Sequence, residues 1–210
     1  MFTSPASSFF LDDCSTQSLI CILSCILEGV VKRQDQLHPL SCISRFTALH
    51  KPAIDIQDYI ERIYTYTLCS PECLVLSLVY IDRLIQSQTV VVNSLSIHRV
   101  LITSIMIAAK FFDDSFFKNE FYARVGGIDT SELNMLEQEY LCSINFSLVV
   151  SPEDYQQYHN ELYKHTVNDM CSCCCGLMIP FLKACPESPN ILIYEYPKQV
   201  IPDSPCNVVY

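Results

Sequence analysis

The chain has 210 residues, about half of them hydrophobic and only four of them Gly, and a formal net charge of −10. Long apolar-periodic stretches with so little Gly favour an all-α fold over a turn-rich all-β one. The length suits one domain with flanking segments, or two small domains. A duplex-binding module needs a basic face, so the acidic balance excludes nucleic acid as the main partner.

The sequence has no basic stretch before Lys32 that would mark a secretory signal. We therefore expect a cytoplasmic and/or nuclear protein with reduced thiols. The five His show no zinc-finger spacing after paired Cys, so we predict no metal and no cofactor. Several of the thirteen Cys lie in apolar helical patterns and are predicted to be small buried hydrophobes, namely Cys21, Cys25, Cys69, Cys73 and Cys142.

Residues 1–14 are rich in Ser, Pro and Phe and are predicted to be flexible. Apolar residues at helical spacing predict a first helix over 15–33. Lys32 and Arg33 would then lie in its last turn, where the helix dipole favours cations. Pro39 ends any continuation.

A second helix is predicted over 55–67, opened by Asp55. The third begins at Pro71, which suits the first helical position, and runs to about Gln86. The fourth, at about 95–112, starts after Asn93 or Ser94. It is apolar nearly all round and is expected at the centre of a bundle. We predict no membrane span there, because about 20 uninterrupted apolar residues would be needed.

A short helix near 118–125 is predicted to stop at Gly126–Gly127, since Gly tolerates the left-handed conformation that ends helices. Asp129 with Glu132 resembles a capping box and opens the next helix. The sequence Ser151–Pro152–Glu153 begins a last helix that ends near His165.

The remaining segment, 166–210, is rich in Cys and Pro and is predicted to be an irregular tail. Its clustered thiols lie beside an apolar stretch, so they are candidate acylation sites: Cys171, Cys173, Cys174 and Cys175. A metal-binding tract and an unmodified tail are the alternatives. We expect contact with a membrane only if this tail is acylated.

Five stretches of the chain carry a family resemblance when they are read in order. They are residues 52–63, Tyr80-Ile-Asp-Arg83, 98–114, Val125-Gly-Gly-Ile128 and 132–137. Their order and spacing resemble the cyclin box of the P/U-type cyclins, the phosphate-regulation branch, over about residues 45–165. The resemblance implies a single five-helix box around a central helix, with an extra N-terminal helix and linker at 15–44.

For function, the resemblance implies a non-catalytic subunit that binds and activates a cyclin-dependent Ser/Thr protein kinase. The box would hold the kinase helix that carries the active-site Glu inward, so that the kinase Lys–Glu pair forms. Phosphate signalling, cell-cycle timing and morphogenesis all remain open as outputs. The alternatives are a cyclin-like adaptor of the transcription machinery, or a helical interaction protein without a kinase partner. The former is disfavoured because residues 47–165 hold eight Lys/Arg against fifteen Asp/Glu.

Matched position by position, Lys110 and Glu137 correspond to the family's kinase-binding lysine and glutamate. The resemblance also implies apolar kinase contacts at Ile107, Phe111, Leu141, Phe146 and Leu148. The alternative is a surface ion pair beside ordinary core residues.

The chain departs from the family in one predicted binding feature. A Met-Arg-x-x-Leu docking patch found in other cyclin branches is replaced here by Ala53-Ile-Asp-Ile-Gln57. Asp82 therefore lacks its usual Arg partner. We consider a structural salt bridge from Arg62 to Asp82, with a plain surface charge as the alternative.

Overall fold

The computed structural model describes residues 13–37 and 44–167, and within them the fold is all-helical. The seven helices of this part are α1 (Asp13–Leu37), α2 (Ile56–Thr67), α3 (Pro71–Gln86), α4 (Ile97–Phe112), α5 (Asn119–Gly126), α6 (Thr130–Ser143) and α7 (Pro152–Val167). Helix α4 packs against α2, α3, α5 and α6. The prediction of a helical bundle around a central helix is therefore confirmed.

Helix α4 occupies the centre because its sequence leaves almost no polar face. Every residue from Ile97 to Ala109 is buried except Arg99. Burying a large aliphatic side chain stabilises the fold by roughly 1.5–3 kcal/mol, so this helix supplies much of the hydrophobic driving force. Across the described segments, no helix has both the length and the hydropathy needed to cross a bilayer.

Two polar residues join the start of α3 to the end of α4. The hydroxyl of Ser70 donates to Asp113 Oδ1 over 2.6 Å, and the Ser70 N–H donates to Asp113 Oδ2 over 3.1 Å. Ser70 precedes Pro71, the first residue of α3, and Asp113 follows Phe112, the last residue of α4. The two most extensively packed helices therefore run antiparallel, with their ends at the Lys110 side of the bundle tied together.

Most helix ends follow the predicted local signals. The Asp55 carboxylate accepts from the Asp58 N–H over 2.7 Å and caps α2. Gly127 adopts the left-handed conformation, with φ of +71°, and ends α5. The Ser151 hydroxyl accepts from the Asp154 N–H over 3.0 Å at the start of α7. These ends were predictable because the signals act within one turn of the chain.

Three expectations about helix ends are wrong. Helix α1 continues to Leu37, so Lys32 and Arg33 are not in its last turn. Helix α4 begins at Ile97, because residues 93–96 form a separate turn in which the Ser96 hydroxyl donates to the Val91 carbonyl. The capping box at α6 is absent: the Asp129 side chain makes no capping hydrogen bond, and Glu132 binds Arg99 on α4 instead.

Candidate functional site

A polar cluster closes the end of the central helix where α4, α5 and α6 meet. Lys110 Nζ donates to Glu137 Oε1 over 2.5 Å and to Asn119 Oδ1 over 3.0 Å. The Asn119 amide Nδ2 donates to Glu137 Oε2 over 2.7 Å. We call Lys110, Asn119 and Glu137 the Lys110 cluster. The structure thus brings together the lysine and the glutamate that the sequence singled out.

The Lys110 cluster is half-buried and retains hydrogen-bonding capacity. The side chains of Lys110 and Glu137 are 29% and 18% exposed. An ammonium group has three donors, and two of them are used inside the cluster. Each Glu137 oxygen has a second lone pair in addition to the one used here. The cluster can therefore offer both a donor and acceptors to a partner chain.

Asn119 was not predicted from the sequence. It is the first residue of α5, and its amide also donates to Asn134 Oδ1 on α6 over 2.8 Å. A lone Asn at a predicted helix start normally reads as a capping or turn residue. Its only sequence signal is its place nine residues after Lys110, at the start of the next helix.

The five predicted apolar contact residues differ in exposure. Ile107 is 2% exposed and belongs to the core. Leu141 and Leu148 are half-buried and pack against that core. Phe111 and Phe146 are exposed, by 51% and 65%. Only these last two present most of a large apolar side chain to solvent.

Exposed aromatic residues follow Lys110 in a segment from which the sequence analysis singled out only Phe111. Phe111, Phe112, Phe116 and Phe117 are each more than a third exposed, and we call this stretch the aromatic segment. The Phe117 ring stacks on Phe121 with 4.1 Å between centroids. Solvent-exposed aromatic residues grouped in this way are typical of interaction surfaces.

Comparison with known proteins identifies the family. The family model described as Cyclin matches residues 25–148. The chain belongs to the cyclin family. It is similar to Cyclin-U4-1 of Arabidopsis thaliana, with 43% identity over 151 residues that cover 70% of this chain and 75% of that protein. It is equally similar to Cyclin-P3-1 of Oryza sativa subsp. japonica, with 43% identity over 152 residues that cover 71% of this chain and 64% of that protein.

A third relative extends the match along the chain. Cyclin-U1-1 of Arabidopsis thaliana is 40% identical over 167 residues, which cover 76% of this chain and 80% of that protein. The resemblance to P/U-type cyclins read from the sequence is therefore confirmed, and the relatives that match are plant P- and U-type cyclins. Cyclins are regulatory, non-catalytic proteins, and this cyclin is one of them.

The Tyr80-Ile-Asp-Arg83 stretch of this cyclin positions the loop that carries Phe146. Arg83 donates from Nη1 to the Ser147 carbonyl over 2.6 Å and from Nη2 to the Val149 carbonyl over 3.2 Å. The Tyr80 hydroxyl donates to the Leu148 carbonyl over 2.9 Å. Phe146 itself has a φ of +55°, an unfavourable conformation for a residue other than Gly. The three donor bonds hold the loop that keeps this aromatic ring exposed.

The predicted salt bridge between Arg62 and Asp82 is wrong. Asp82 is 2% exposed, and its Oδ2 accepts from the Tyr158 hydroxyl over 2.6 Å and from Gln86 Nε2 over 2.7 Å. Arg62 is exposed and makes no ion pair with it. A surface charge is therefore not the role of Asp82 either. Burial raises the pKa of its carboxyl above 3.8, against the opposing effect of the Tyr158 hydrogen bond.

The five cysteines that were predicted to be buried fall into three groups. Cys69 and Cys73 are buried, as predicted. Cys21 and Cys142 are exposed, so the prediction of burial is wrong for them. Cys25 is half-buried and disulfide-bonded, against the expectation of reduced thiols. The four predicted acylation sites lie outside the described residues, and within 13–37 and 44–167 no group of His, Cys, Asp or Glu could hold a metal ion.

Proposed function

We propose that this cyclin binds and activates a cyclin-dependent protein kinase, with the Lys110 cluster at the centre of the contact. The observation that carries the proposal is the position of the ion pair. Lys110 and Glu137 meet at the end of the central helix, with 2.5 Å between Nζ and Oε1, next to the exposed Phe111. A charged pair beside exposed aromatic side chains suits recognition of another protein's backbone and apolar residues.

The chemistry of the cluster favours a polypeptide segment as its ligand. The remaining Lys110 donor can bind a main-chain carbonyl, and the free lone pairs of Glu137 can accept from main-chain N–H groups. Hydrogen bonds to charged groups stabilise a contact by about 1.5–3 kcal/mol each. Asn119 holds both charges in place through its amide, which reduces the side-chain entropy that binding would cost.

The exposed Phe side chains would supply the hydrophobic part of the interface. Fully burying one such side chain contributes about 1.5–3 kcal/mol. Phe111 and Phe146 are the two predicted contact residues that are exposed, and the aromatic segment extends the apolar surface beyond them. A stable regulatory interface buries about 2,000 Å² or more, so the kinase must cover more than the Lys110 cluster alone.

Activation would follow from where the contact acts on the kinase. The resemblance to cyclins supports a contact with the kinase helix that carries the active-site Glu. Holding that helix inward lets the kinase Lys–Glu pair form, which phosphoryl transfer requires. This cyclin would then supply positioning, while the kinase supplies nucleotide, Mg²⁺ and the catalytic residues.

The test compares two ion pairs between the same two helices. The double variant Lys110→Ala/Glu137→Ala is expected to lose co-purification with the kinase from the native cell. The matched control is Arg99→Ala/Glu132→Ala, which removes a pair of 2.6 Å and similar exposure near the start of both helices. This control variant should still co-purify with the kinase. Circular dichroism and thermal melting should show both variants folded, and equal kinase recovery with both would overturn the proposal.

A further inference from the structure

Two Ser-Pro pairs lie in the described part of the chain, and each stands at the start of a helix. Ser70 precedes Pro71, the first residue of α3, and Ser151 precedes Pro152, the first residue of α7. Proline-directed Ser/Thr kinases select a Pro after the acceptor Ser, because Pro has a fixed φ and no N–H to satisfy. The local sequence is the same at both pairs, so the surroundings decide which hydroxyl such a kinase can reach.

The hydroxyl of Ser70 is closed off by the fold. It donates to Asp113 Oδ1 over 2.6 Å, and the Ser70 N–H donates to Asp113 Oδ2 over 3.1 Å. Cys69 before it and Cys73 after it are 5% and 0% exposed. A kinase binds several residues around the acceptor as an extended segment, so it would have to pull both of these side chains out of the core.

The surroundings of Ser151 are open. The residue itself is half-buried, but Pro152, Glu153 and Asp154, which follow it, are all exposed, and Val149 before it is 77% exposed. Residues 147–151 belong to no helix. The Ser151 hydroxyl accepts from the Asp154 N–H over 3.0 Å, and freeing it opens only the exposed first turn of α7. Residues 151–154 can therefore extend into a kinase without removing a large side chain from the core.

We infer that Ser151 is a phosphorylation site for a proline-directed Ser/Thr kinase, while Ser70 is not. The kinase transfers the γ-phosphoryl group of ATP: the bond from that phosphorus to the ADP oxygen breaks, a bond to the Ser151 oxygen forms, and the hydroxyl proton is released. The phosphoserine carries a charge of about −1.5 to −2 at pH 7. The inference is independent of the proposed kinase binding, because it does not involve the Lys110 cluster.

Arg83 is the cation that contacts the segment before Ser151. It donates to the carbonyls of Ser147 and Val149 over 2.6 and 3.2 Å. Val149 is two positions from Ser151, which an extended chain spans in about 7 Å. Arg binds a phosphate more strongly than neutral carbonyls, because two parallel N–H donors meet an anion. The phosphate therefore competes with the two carbonyls for Arg83.

This competition links the modification to the loop that carries Phe146, whose φ is +55°. When Arg83 turns to the phosphate, the strained loop loses two of the bonds that hold it. Glu153 and Asp154 follow the phosphate in the chain and repel it, so a neutralising contact with Arg83 becomes more favourable. Phosphorylation thus loosens the Phe146 loop.

Peptide mapping of the full chain tests the site. Purified protein is incubated with Mg-ATP and an active mitogen-activated protein kinase, which is proline-directed, and is then digested with trypsin. Ser151 falls in the peptide Val125–Lys164 and Ser70 in the peptide Ile63–Arg83. We expect one phosphate in the first peptide, located at Ser151 by fragmentation, and none in the second. No phosphate at Ser151, or phosphate at Ser70 under the same conditions, would overturn the inference.

Matched variants locate the acceptor. Ser151→Ala should take up no phosphate in this peptide. Ser147→Ala removes an exposed hydroxyl that no Pro follows, and it should be phosphorylated like wild type. Equal uptake by Ser151→Ala and wild type would place the acceptor elsewhere and contradict the inference.

Limited chymotrypsin digestion tests the role of Arg83. The phosphorylated protein should be cut after Phe146 several times faster than the unmodified protein. In Arg83→Ala the loop has already lost both bonds, so phosphorylation should bring no further increase. An equal increase in wild type and Arg83→Ala, or no increase in wild type, would overturn the competition for Arg83.

Discussion

The Tyr158 hydroxyl donates to the buried carboxylate of Asp82 across 2.6 Å, which joins α7 to α3. Tyr80 and Arg83, which lie close to Asp82 in the sequence, donate instead to the carbonyls of residues 147–149. One short stretch of α3 therefore fixes both the last described helix and the loop before it. The exposed Phe146 owes its position to this stretch.

The pH dependence of stability should reveal the buried Asp82. Because burial raises its pKa above 3.8, the folded state binds the proton more tightly than the unfolded state does. This contribution to stability is present at low pH and is lost as the pH rises through the folded-state pKa. We expect the free energy of unfolding of wild type, relative to Asp82→Asn, to fall as the pH rises from about 4 through the folded-state pKa of Asp82. Urea unfolding across this range measures it.

A second variant separates Asp82 from other titrating groups. The Tyr158 hydrogen bond opposes the rise in the Asp82 pKa, so its loss in Tyr158→Phe should move the pH-dependent window upward. The lost bond should also cost about 1–3 kcal/mol at neutral pH. A wild-type curve that stays parallel to that of Asp82→Asn at every pH would contradict this assignment.

Removing Arg83 should release the loop that carries Phe146. The guanidinium donates from two separate nitrogens to the carbonyls of Ser147 and Val149, in a planar fork that the single nitrogen of a lysine does not reproduce. We expect Arg83→Ala to lower the free energy of unfolding by about 1–2 kcal/mol, and Arg83→Lys to lower it by nearly as much. Limited chymotrypsin digestion should cut after Phe146 faster in both variants. Arg124 is exposed, so Arg124→Ala serves as the control, and this variant should be cut at the wild-type rate.

Local signals were readable in the sequence, and distant partners were not. Asp55, Pro71 and Gly127 mark helix ends correctly because each acts within a turn of its own position. The Asp82 carboxylate accepts a hydrogen bond from Tyr158, which lies 76 positions away in the sequence, and no local pattern indicates that contact. The wrong assignment to Arg62 came from seeking a substitute for the Arg of the docking patch that this chain lacks.

In the candidate site too, the sequence predicted some features and the structure had to supply others. The family resemblance was enough to select Lys110 and Glu137, which do meet in space. It also selected Ile107, which the structure places in the core. The exposure of Phe111 had to be observed in the structure.

The adjacent glycines at the end of α5 should respond differently to alanine. A Cβ added at Gly126 would lie 2.8 Å from Ile102 Cγ1 and 3.3 Å from the Tyr59 hydroxyl, inside the core. We expect Gly126→Ala to destabilise by about 1–3 kcal/mol through overpacking. At Gly127 a Cβ meets nothing, so only the left-handed backbone costs about 1–2 kcal/mol.

A second substitution that relieves the clash at Gly126 tests this explanation more sharply than the stabilities of the two Gly→Ala variants alone. In an Ile102→Ala background the clashing Cγ1 atom is absent, so Gly126→Ala should cost less stability there than in wild type. The same Ile102→Ala background should not change the cost of Gly127→Ala. Equal effects of Ile102→Ala on the two glycine variants would contradict the clash.

His98 should make the protein sensitive to mild acid. Burial lowers its pKa below 6.5, and Nε2 donates to the Ile54 carbonyl over 2.9 Å. Because the folded state favours the neutral ring, its contribution to stability is present above about pH 6.5 and is lost as the pH falls through the folded-state pKa. His98→Asn, which cannot titrate, should lose stability less steeply over this range. NMR titration of the ring should give a folded-state pKa below 6.5, and a value above it would contradict the assignment.

Asn119 should matter for partner binding even though it carries no charge. Its amide bridges Lys110 and Glu137, so Asn119→Ala leaves the ion pair but frees both side chains to move. Under the proposed function, the loss of this positioning should cost about 1 kcal/mol, which is roughly fivefold in kinase affinity. Asn134→Ala removes only the outer hydrogen bond to Asn119 and provides the matched control. Surface plasmon resonance with the co-purifying kinase should rank wild type and Asn134→Ala together and Asn119→Ala below them. If Asn134→Ala weakens binding as much as Asn119→Ala, the contact extends further along α6 than the Lys110 cluster.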